Sequence, residues 1–352
     1  MKICYIANAS SQHTWKWANY FISRGDDVHI ISHEPYDLKG ATVHYINFSL
    51  KEFFKYKKIV HRKIDEIAPD VLHAHQFNDC GLYGVTYKQL PAIVSAWGSD
   101  ILLTPQKNWI MKSLVKYIIK NSSVITSDTL EVTRKIVEFG GNKDNIYTFP
   151  MGIESEILQY KNSIDITNEG LTILSNRRLE KLYNVDIIIK GFKLAVNEYP
   201  NLNLIIAATG VEESYLKKLT IELDLDSKIE FTGRYNQEEL GSILKKSDVF
   251  ISIPSSDGTS VSLLEAMGCG LYPILCDLPA NREWIKNNKN GIIINNINEN
   301  NVKDAILKCA TNKSYLEKQS KVNINIIKEK ALWKNNIKVV EEIYKRIGGS
   351  VE

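Results

Sequence analysis

Cysteine, net charge and long apolar runs are all scarce in this chain, and each scarcity removes a class of protein. The five cysteines (Cys4, Cys80, Cys269, Cys276 and Cys309) are an odd set with no Cys-x-x-Cys pair, so they read as reduced, packed thiols rather than a disulfide framework or a metal site. A formal net charge of +3 is too small to imply nucleic acid. No apolar run approaches the ~20 residues of a membrane span, and Met1-Lys2-Ile3-Cys4-Tyr5-Ile6-Ala7 passes straight into a strand pattern, so no signal peptide is expected. The first strand is not followed by Gly-x-Gly-x-x-Gly, which argues against a dinucleotide site and a nicotinamide-dependent dehydrogenase. The expected location is cytoplasmic, in solution or at the inner face of the plasma membrane.

What is present is alternation. Short apolar runs at 2–7, 28–32, 43–46, 71–74, 92–96, 124–127 and 146–149 predict strands, with helical patterns such as 15–23, 53–67 and 109–120 between them. The pattern repeats at 171–175, 204–208, 229–232, 249–253, 272–276 and 291–294, and the polar stretch 154–169 reads as a linker. A chain of 352 residues exceeds what one core usually supports. The expected fold is α/β: two Rossmann-like, doubly wound domains facing across a cleft, with ligands at the carboxyl ends of the strands.

One stretch organises the rest. The run Asp248–Pro254 is a buried strand closed by proline; Ser255-Ser256-Asp257-Gly258-Thr259-Ser260 is a small-residue loop; Val261, Leu263, Leu264, Ala266 and Met267 begin a helix stopped by Gly268 and Gly270. Strand, loop and helix start gather free backbone N–H groups in front of the positive end of a helix dipole, which suits a diphosphate. Asp257 precedes the helix and Glu265 lies roughly 7 Å into it at ~1.5 Å per residue. The two carboxylates can therefore serve groups on opposite sides of a bound diphosphate, the layout of a nucleotide sugar. Glu265 also sits between Leu264 and Ala266 in a helix with almost no polar face, where an ionised group is costly unless satisfied.

This segment resembles the paired acids, seven residues apart, of glycosyltransferase family 4 and its retaining GT-B relatives, usually Glu-Gly-Phe-Gly, a short gap, then Leu-Glu-Ala-Met-Ala. The resemblance implies that Glu265 binds the ribose hydroxyls, that Asp257 contacts the donor sugar, and that the amides of Gly258, Thr259, Ser260 and Val261 hold the diphosphate. The chain departs from the family in carrying Asp257 for the first Glu and Thr259-Ser260 for Phe-Gly. In GT-B enzymes a C-terminal amphipathic helix returns to the first domain. Here 331–347 has that pattern, which implies an acceptor-binding domain of 1–160 plus 334–352 and a nucleotide-sugar domain of 161–333.

Other motifs extend the resemblance. Ser175-Asn176-Arg177-Arg178-Leu179-Glu180-Lys181 is similar to the family's Gly-Arg-Leu stretch before Lys-Gly; either Arg177 or Arg178 matches the arginine, and Lys181 stands in for a lysine whose place holds Tyr183. Such cations at a strand end pair with a diphosphate. Gly210, and Gly233 with Arg234 and Tyr235, close further strands. The family presents the second of these loops to the nucleobase, although tight turns alone account for both glycines.

In the first domain, Asn8 and His13 lie in the loop after strand one, His13 being an acceptor contact or a helix-start residue. His73 and His75 share a strand face, with His75 nearer the carboxyl end as an active-site or a core histidine. Trp97 stands where many members carry a donor-contacting histidine, and it cannot accept a proton. Asp100 orients the acceptor or caps the next helix. The basic segments 51–63 and 107–120 interleave lysines with Phe53, Phe54, Tyr56, Trp109, Ile110 and Leu114, the composition of a solvated face or of a helix lying on anionic lipid.

The function expected is retaining, metal-independent transfer of a hexose-type sugar from a nucleoside-diphosphate sugar, UDP before GDP, to a glycan or lipid-linked acceptor in surface polysaccharide or glycolipid assembly. No cofactor and no nucleic-acid partner is expected. A sugar-nucleotide epimerase of the same fold and a non-catalytic nucleotide-sugar or glycan-binding scaffold are the alternatives.

Overall fold

The computed structural model describes residues 1–161, 164 and 170–349. The chain divides into two compact units, one of Met1–Phe149 with Ile337–Glu352, the other of Pro150–Asn336.

In the first unit, β1 (Lys2–Ile6), β2 (Asp27–Ser32), β3 (Thr42–Tyr45), β4 (Val71–His75), β5 (Ala92–Ser95), β6 (Val124–Ser127) and β7 (Ile146–Thr148) form one parallel sheet in the order β3-β2-β1-β4-β5-β6-β7. The central strands β1, β4 and β5 are buried on both faces almost end to end, which a parallel sheet covered by helices on both sides requires. The strand order reverses between β1 and β4, where Tyr5 pairs with His73 and Ile6 with Ala74. Loops leaving those two strands part at their carboxyl ends and open a crevice.

The second unit repeats the plan with β8 (Leu171–Ser175), β9 (Leu202–Ile206), β10 (Ile229–Phe231), β11 (Val249–Ser252), β12 (Tyr272–Cys276) and β13 (Ile292–Ile294), in the order β10-β9-β8-β11-β12-β13. Ile173, Leu204 and Ile251 fill the core on one face, while Leu174, Phe250 and Leu275 fill the other. The reversal falls between β8 and β11, whose register pairs Val249 with Ile173 and Phe250 with Leu174. The arginine loop and the acidic loop, 80 residues apart in sequence, thus leave adjacent strands.

Two expectations are refined. The segment expected to be a linker packs onto the second unit as far as it is described: Ile157 is buried, and Lys161 Nζ pairs with Asp248 Oδ1 at 2.9 Å while Asp248 Oδ2 accepts from Thr172 N at 3.0 Å. Residues 162–163 and 165–169 of that stretch lie outside the described residues. The helix Trp333–Gly348 begins in the second unit and ends in the first. Ile337, Val340, Ile343 and Tyr344 on its apolar stripe are buried, and Tyr344 stacks on Phe21 with ring centroids 4.8 Å apart.

Candidate active site

The site of the second unit is built on the loops that leave β8 and β11. The residues after β11 turn sharply and Ser260 caps the helix Val261–Gly268, its hydroxyl accepting from Leu263 N at 3.3 Å. Arg177 reaches this corner from the β8 loop. Its Nη2 donates to Asp257 Oδ2 at 2.6 Å, and its Nη1 donates to Ser262 Oγ at 3.0 Å and also to Ser260 Oγ. The guanidinium lies over the Tyr183 ring, 4.7 Å from its centroid. Burial raises the Asp257 carboxyl above its usual range, opposed by Arg177 and by the Gly258 amide, which donates to Asp257 Oδ1 at 3.0 Å. A cation is thereby held at a helix N-terminus by one carboxylate and two hydroxyls.

Of Arg177 and Arg178, the structure brings Arg177 to this corner. Arg178 is exposed and pairs with Glu180 at 2.8 Å, away from the loop. Lys181 is also exposed, at the start of a 3-10 turn over Lys181–Tyr183, and is not brought to Arg177. The sequence reading missed Asn184 in the same loop, whose Nδ2 donates to Ile253 O at 2.8 Å and to Ser255 Oγ at 3.1 Å, tying the two loops together. Asn184 has φ 52°, a left-handed conformation that asparagine tolerates, and an asparagine before an apolar helical run was the available signal. Ser262, Tyr183 and Asn176 were given no role by the sequence reading either.

Behind the corner, Tyr235 accepts from Asn176 Nδ2 at 3.1 Å, and burial followed by the charge of Glu265 pushes its hydroxyl up to about 12. Glu265, half-buried on the helix, therefore faces Tyr235. Arg234 is exposed, its Nε directed at Thr209 Oγ1 3.5 Å away. Ser175 Oγ, Asn176 Oδ1 and Thr232 Oγ1 are buried and have no hydrogen-bond partner among the described residues. Unsatisfied buried polar atoms are uncommon and call for a missing partner. These three lie at the carboxyl ends of β8 and β10.

Gly210 and Gly233 have different causes. A Cβ at Gly210 would fall 2.2 Å from Leu179 O, in a contact that joins the loops after β8 and β9, where Leu179 N donates to Thr209 O at 3.2 Å. Gly233 has φ +71° with nothing within 4 Å of its would-be Cβ. Gly210→Ala is expected to destabilise by about 3 kcal/mol or more, because backbone must move, whereas Gly233→Asn stays within about 1 kcal/mol, since asparagine reaches that φ. Urea unfolding of both variants checks the contrast.

The first unit places a second cluster at its own switch point. Asn8 caps its loop, its Oδ1 accepting from Ser10 N at 2.9 Å. His75 Nδ1 bonds Thr14 Oγ1 at 3.1 Å, while its buried Nε2 has no hydrogen-bond partner among the described residues. The Trp97 ring lies against both His75 and His13, at centroid distances of 4.8 and 4.6 Å. Burial, then Lys16, lowers His13 to about 4, and burial with His73 and His13 holds His75 well below the ordinary range, so both are neutral at physiological pH. His73 is a core residue, bonded to Tyr344 Oη at 2.6 Å and Ser95 Oγ at 2.7 Å.

Asp100 braces the loops after β4 and β5: its carboxylate accepts from Phe77 N at 2.9 Å and Trp97 N at 3.0 Å. Burial pushes its carboxyl up to about 6, against backbone amides of Phe77, Trp97, Asp100 and Ile101 that lower it. A carboxyl with a folded pKa above its unfolded value binds its proton more tightly in the native state, so its contribution is largest below the unfolded pKa and falls as pH rises to about 6. Asp100→Asn removes that dependence. The stability of the wild type relative to this variant is expected to decline between about pH 4 and 6 and then level off, as measured by denaturant unfolding across pH.

Two doubly wound units, one of them with an arginine, a helix N-terminus and two acids at its switch point, define an α/β protein of the GT-B class. The model of glycosyl transferases group 1 matches residues 157–328, and that of the glycosyl transferase 4-like family matches residues 2–129. The chain belongs to the GT-B glycosyltransferases of family 4. It is 28% identical over 249 residues to an uncharacterized glycosyltransferase of Methanocaldococcus jannaschii, covering 67% of this chain and 62% of that protein. It is 28% identical over 207 residues to the UDP-N-acetylglucosamine–peptide N-acetylglucosaminyltransferase GtfA subunit of Limosilactobacillus reuteri, covering 54% of this chain and 39% of the subunit. The chain thus spans less than two thirds of the length of either relative. Among solved structures, Anabaena HepE in complex with UDP and glucose superposes with a TM-score of 0.79 at 13% identity, over 97% of this chain and 99% of that one, a likeness of fold.

Proposed function

We propose that the protein moves a hexose-type sugar from a nucleoside-diphosphate sugar to a glycan or lipid-linked acceptor, with retention at the anomeric carbon and without a metal at the diphosphate. The observation that carries this reading is Arg177, held between Asp257, Ser260 and Ser262 at the start of the helix Val261–Gly268. When the bond from the anomeric carbon to the diphosphate breaks, negative charge grows on the leaving oxygen. The guanidinium fork and the helix amides then gain more in the transition state than in the ground state. A fixed cation of this kind does the work that a divalent ion does elsewhere, and no Asp-x-Asp pair is placed at this loop.

In this account Glu265 takes the ribose hydroxyls, Tyr235 and the unpartnered atoms beside it border the base, and Asp257 turns to the sugar once the diphosphate has taken Arg177. The leaving phosphate accepts the acceptor's proton on the face from which the new C–O bond forms. His75, His13 and Trp97 line the acceptor side as neutral groups. UDP is favoured over GDP because the L. reuteri relative is named for UDP-N-acetylglucosamine and HepE is described with UDP.

The test is thermal protection by a panel of UDP-, GDP- and ADP-sugars, followed by product analysis with and without acceptor. Protection by one base and acceptor-dependent transfer with retained configuration are expected. Release of a free sugar or epimer without acceptor would identify the epimerase, and protection without turnover a binding scaffold.

A lipid-linked acceptor also fits the helices Phe53–Ile67 and Trp109–Asn121. Phe53, Tyr56 and Leu114 pack inward, but Phe54 is 92% and Trp109 76% exposed among lysines. We propose that these side chains seat the protein on the anionic inner face of the plasma membrane. Phe54→Ser with Trp109→Ser is expected to weaken co-sedimentation with anionic vesicles about tenfold or more; unchanged sedimentation would refute the contact.

A further inference from the structure

In the first unit, three side chains of metal-ligating type converge, His33 from one part of the sequence and the adjacent Asp79 and Cys80 from another. His33 directly follows β2. Asp79 and Cys80 open the helix Asp79–Thr86, which Asn78 caps by accepting from Cys80 N at 3.0 Å. One ligand atom from each of His33, Asp79 and Cys80 lies within 4.8 Å of the others, and Cys80 Sγ is 4.0 Å from His33 Nδ1. A tetrahedral zinc ion with ~2.3 Å bonds to sulfur and ~2.1 Å bonds to nitrogen sets those two atoms ~3.6 Å apart. That pair needs only a few tenths of an ångström of closure, and the carboxylate oxygen, within 4.8 Å of the other two atoms, needs up to about 1 Å.

We propose that His33, Asp79 and Cys80 form a site for a soft divalent cation of the zinc type, with solvent as the fourth ligand. The donor set of imidazole, carboxylate and thiolate selects such a metal over magnesium or calcium, which take oxygen. The surroundings are those of a supported site. The Phe48 ring meets the His33 imidazole edge-on at a centroid distance of 5.3 Å and fixes its plane. Asp79 Oδ1 already accepts from Cys80 N at 2.9 Å, so the carboxylate is turned toward the helix start. Cys80 forms the buried wall of the site, while half-buried His33 and Asp79 leave a solvent-facing side through which an ion enters. Coordination replaces the S–H bond with a metal–sulfur bond and releases the proton to solvent.

An ion here would tie the loop after β2 to the start of the helix Asp79–Thr86, which follows the loop whose Phe77 amide is held by Asp100. It would stiffen the carboxyl edge of the first sheet, and it does not depend on the donor reading of the second unit. Its sequence signal is weak because the ligands are 46 and 47 residues apart and form no short motif.

The test uses the full chain stripped with a chelator and titrated with cobalt(II). One equivalent is expected to give the near-ultraviolet thiolate-to-cobalt band with the visible absorption of a tetrahedral ion, and zinc should displace it. Cys80→Ser should lose the band while keeping the wild-type far- and near-ultraviolet circular dichroism, and His33→Ala should weaken cobalt binding about tenfold or more. Absence of a thiolate band, its persistence in Cys80→Ser, or unaltered affinity in His33→Ala would overturn the site. Nucleotide protection measured on the same samples separates failure here from failure of the transferase reading.

Discussion

Arg177→Ala is expected to lower kcat by about 10²- to 10³-fold, the loss found when one preorganised donor to a developing oxyanion is removed. Its Nη1 and Nη2 already face the helix start in the free protein, so little reorganisation is needed when the diphosphate arrives. Arg177→Lys should not restore the rate, because an ammonium is a point charge and cannot span Asp257 and two serines or lie flat on Tyr183. Arg177→Ala also leaves the half-buried Asp257 without its cationic partner, and unfolding stability should fall by about 3 kcal/mol. In the double variant Arg177→Ala/Asp257→Asn stability should recover, while kcat should lie well below that of Asp257→Asn alone. A double variant that regained near-wild-type kcat would remove Arg177 from the chemistry.

Glu265→Ala is expected to weaken binding of free UDP about a hundredfold by calorimetry, since two charge-assisted hydrogen bonds to ribose hydroxyls, each about 1.5 kcal/mol, amount to roughly 3 kcal/mol. Glu265 lies on a rigid helix flanked by buried Leu264 and Ala266, so the loss is not relieved by a neighbour's movement. Asp257→Ala should instead leave UDP affinity within a fewfold of wild type and lower kcat, because its proposed contact is to the sugar rather than the nucleotide. Equal and small effects from the two substitutions would contradict this division of labour.

The architecture was legible because parallel strands buried on both faces must be short runs of apolar residues. The ends of β6, β8 and β12 fall at the expected residues, and the other strand ends lie within two residues of expectation. Polar punctuation helped as well: β2, β5, β6, β8 and β11 all end on serine, marking the edge where the ligand loops begin. Within the site, Asp257 and Ser260 were readable from the strand–loop–helix pattern, and Glu265 from its place on an apolar helix. The choice between Arg177 and Arg178 was not, because adjacent residues at a strand end point to opposite sides and periodicity carries no absolute phase. Asn184 escaped for a related reason: its role depends on a left-handed φ and on contact with the β11 loop, neither of which is written locally. In 154–169 the polar composition concealed Ile157 and the Lys161–Asp248 pair, whose partners lie far along the chain.

A crystal structure of the protein with UDP bears most directly on the central claim. The diphosphate is expected against the first amides of the helix Val261–Gly268 and within hydrogen-bonding distance of Arg177, with the ribose hydroxyls on Glu265. UDP bound elsewhere, or at that helix with Arg177 still closed on Asp257 and Glu265 untouched, would contradict it.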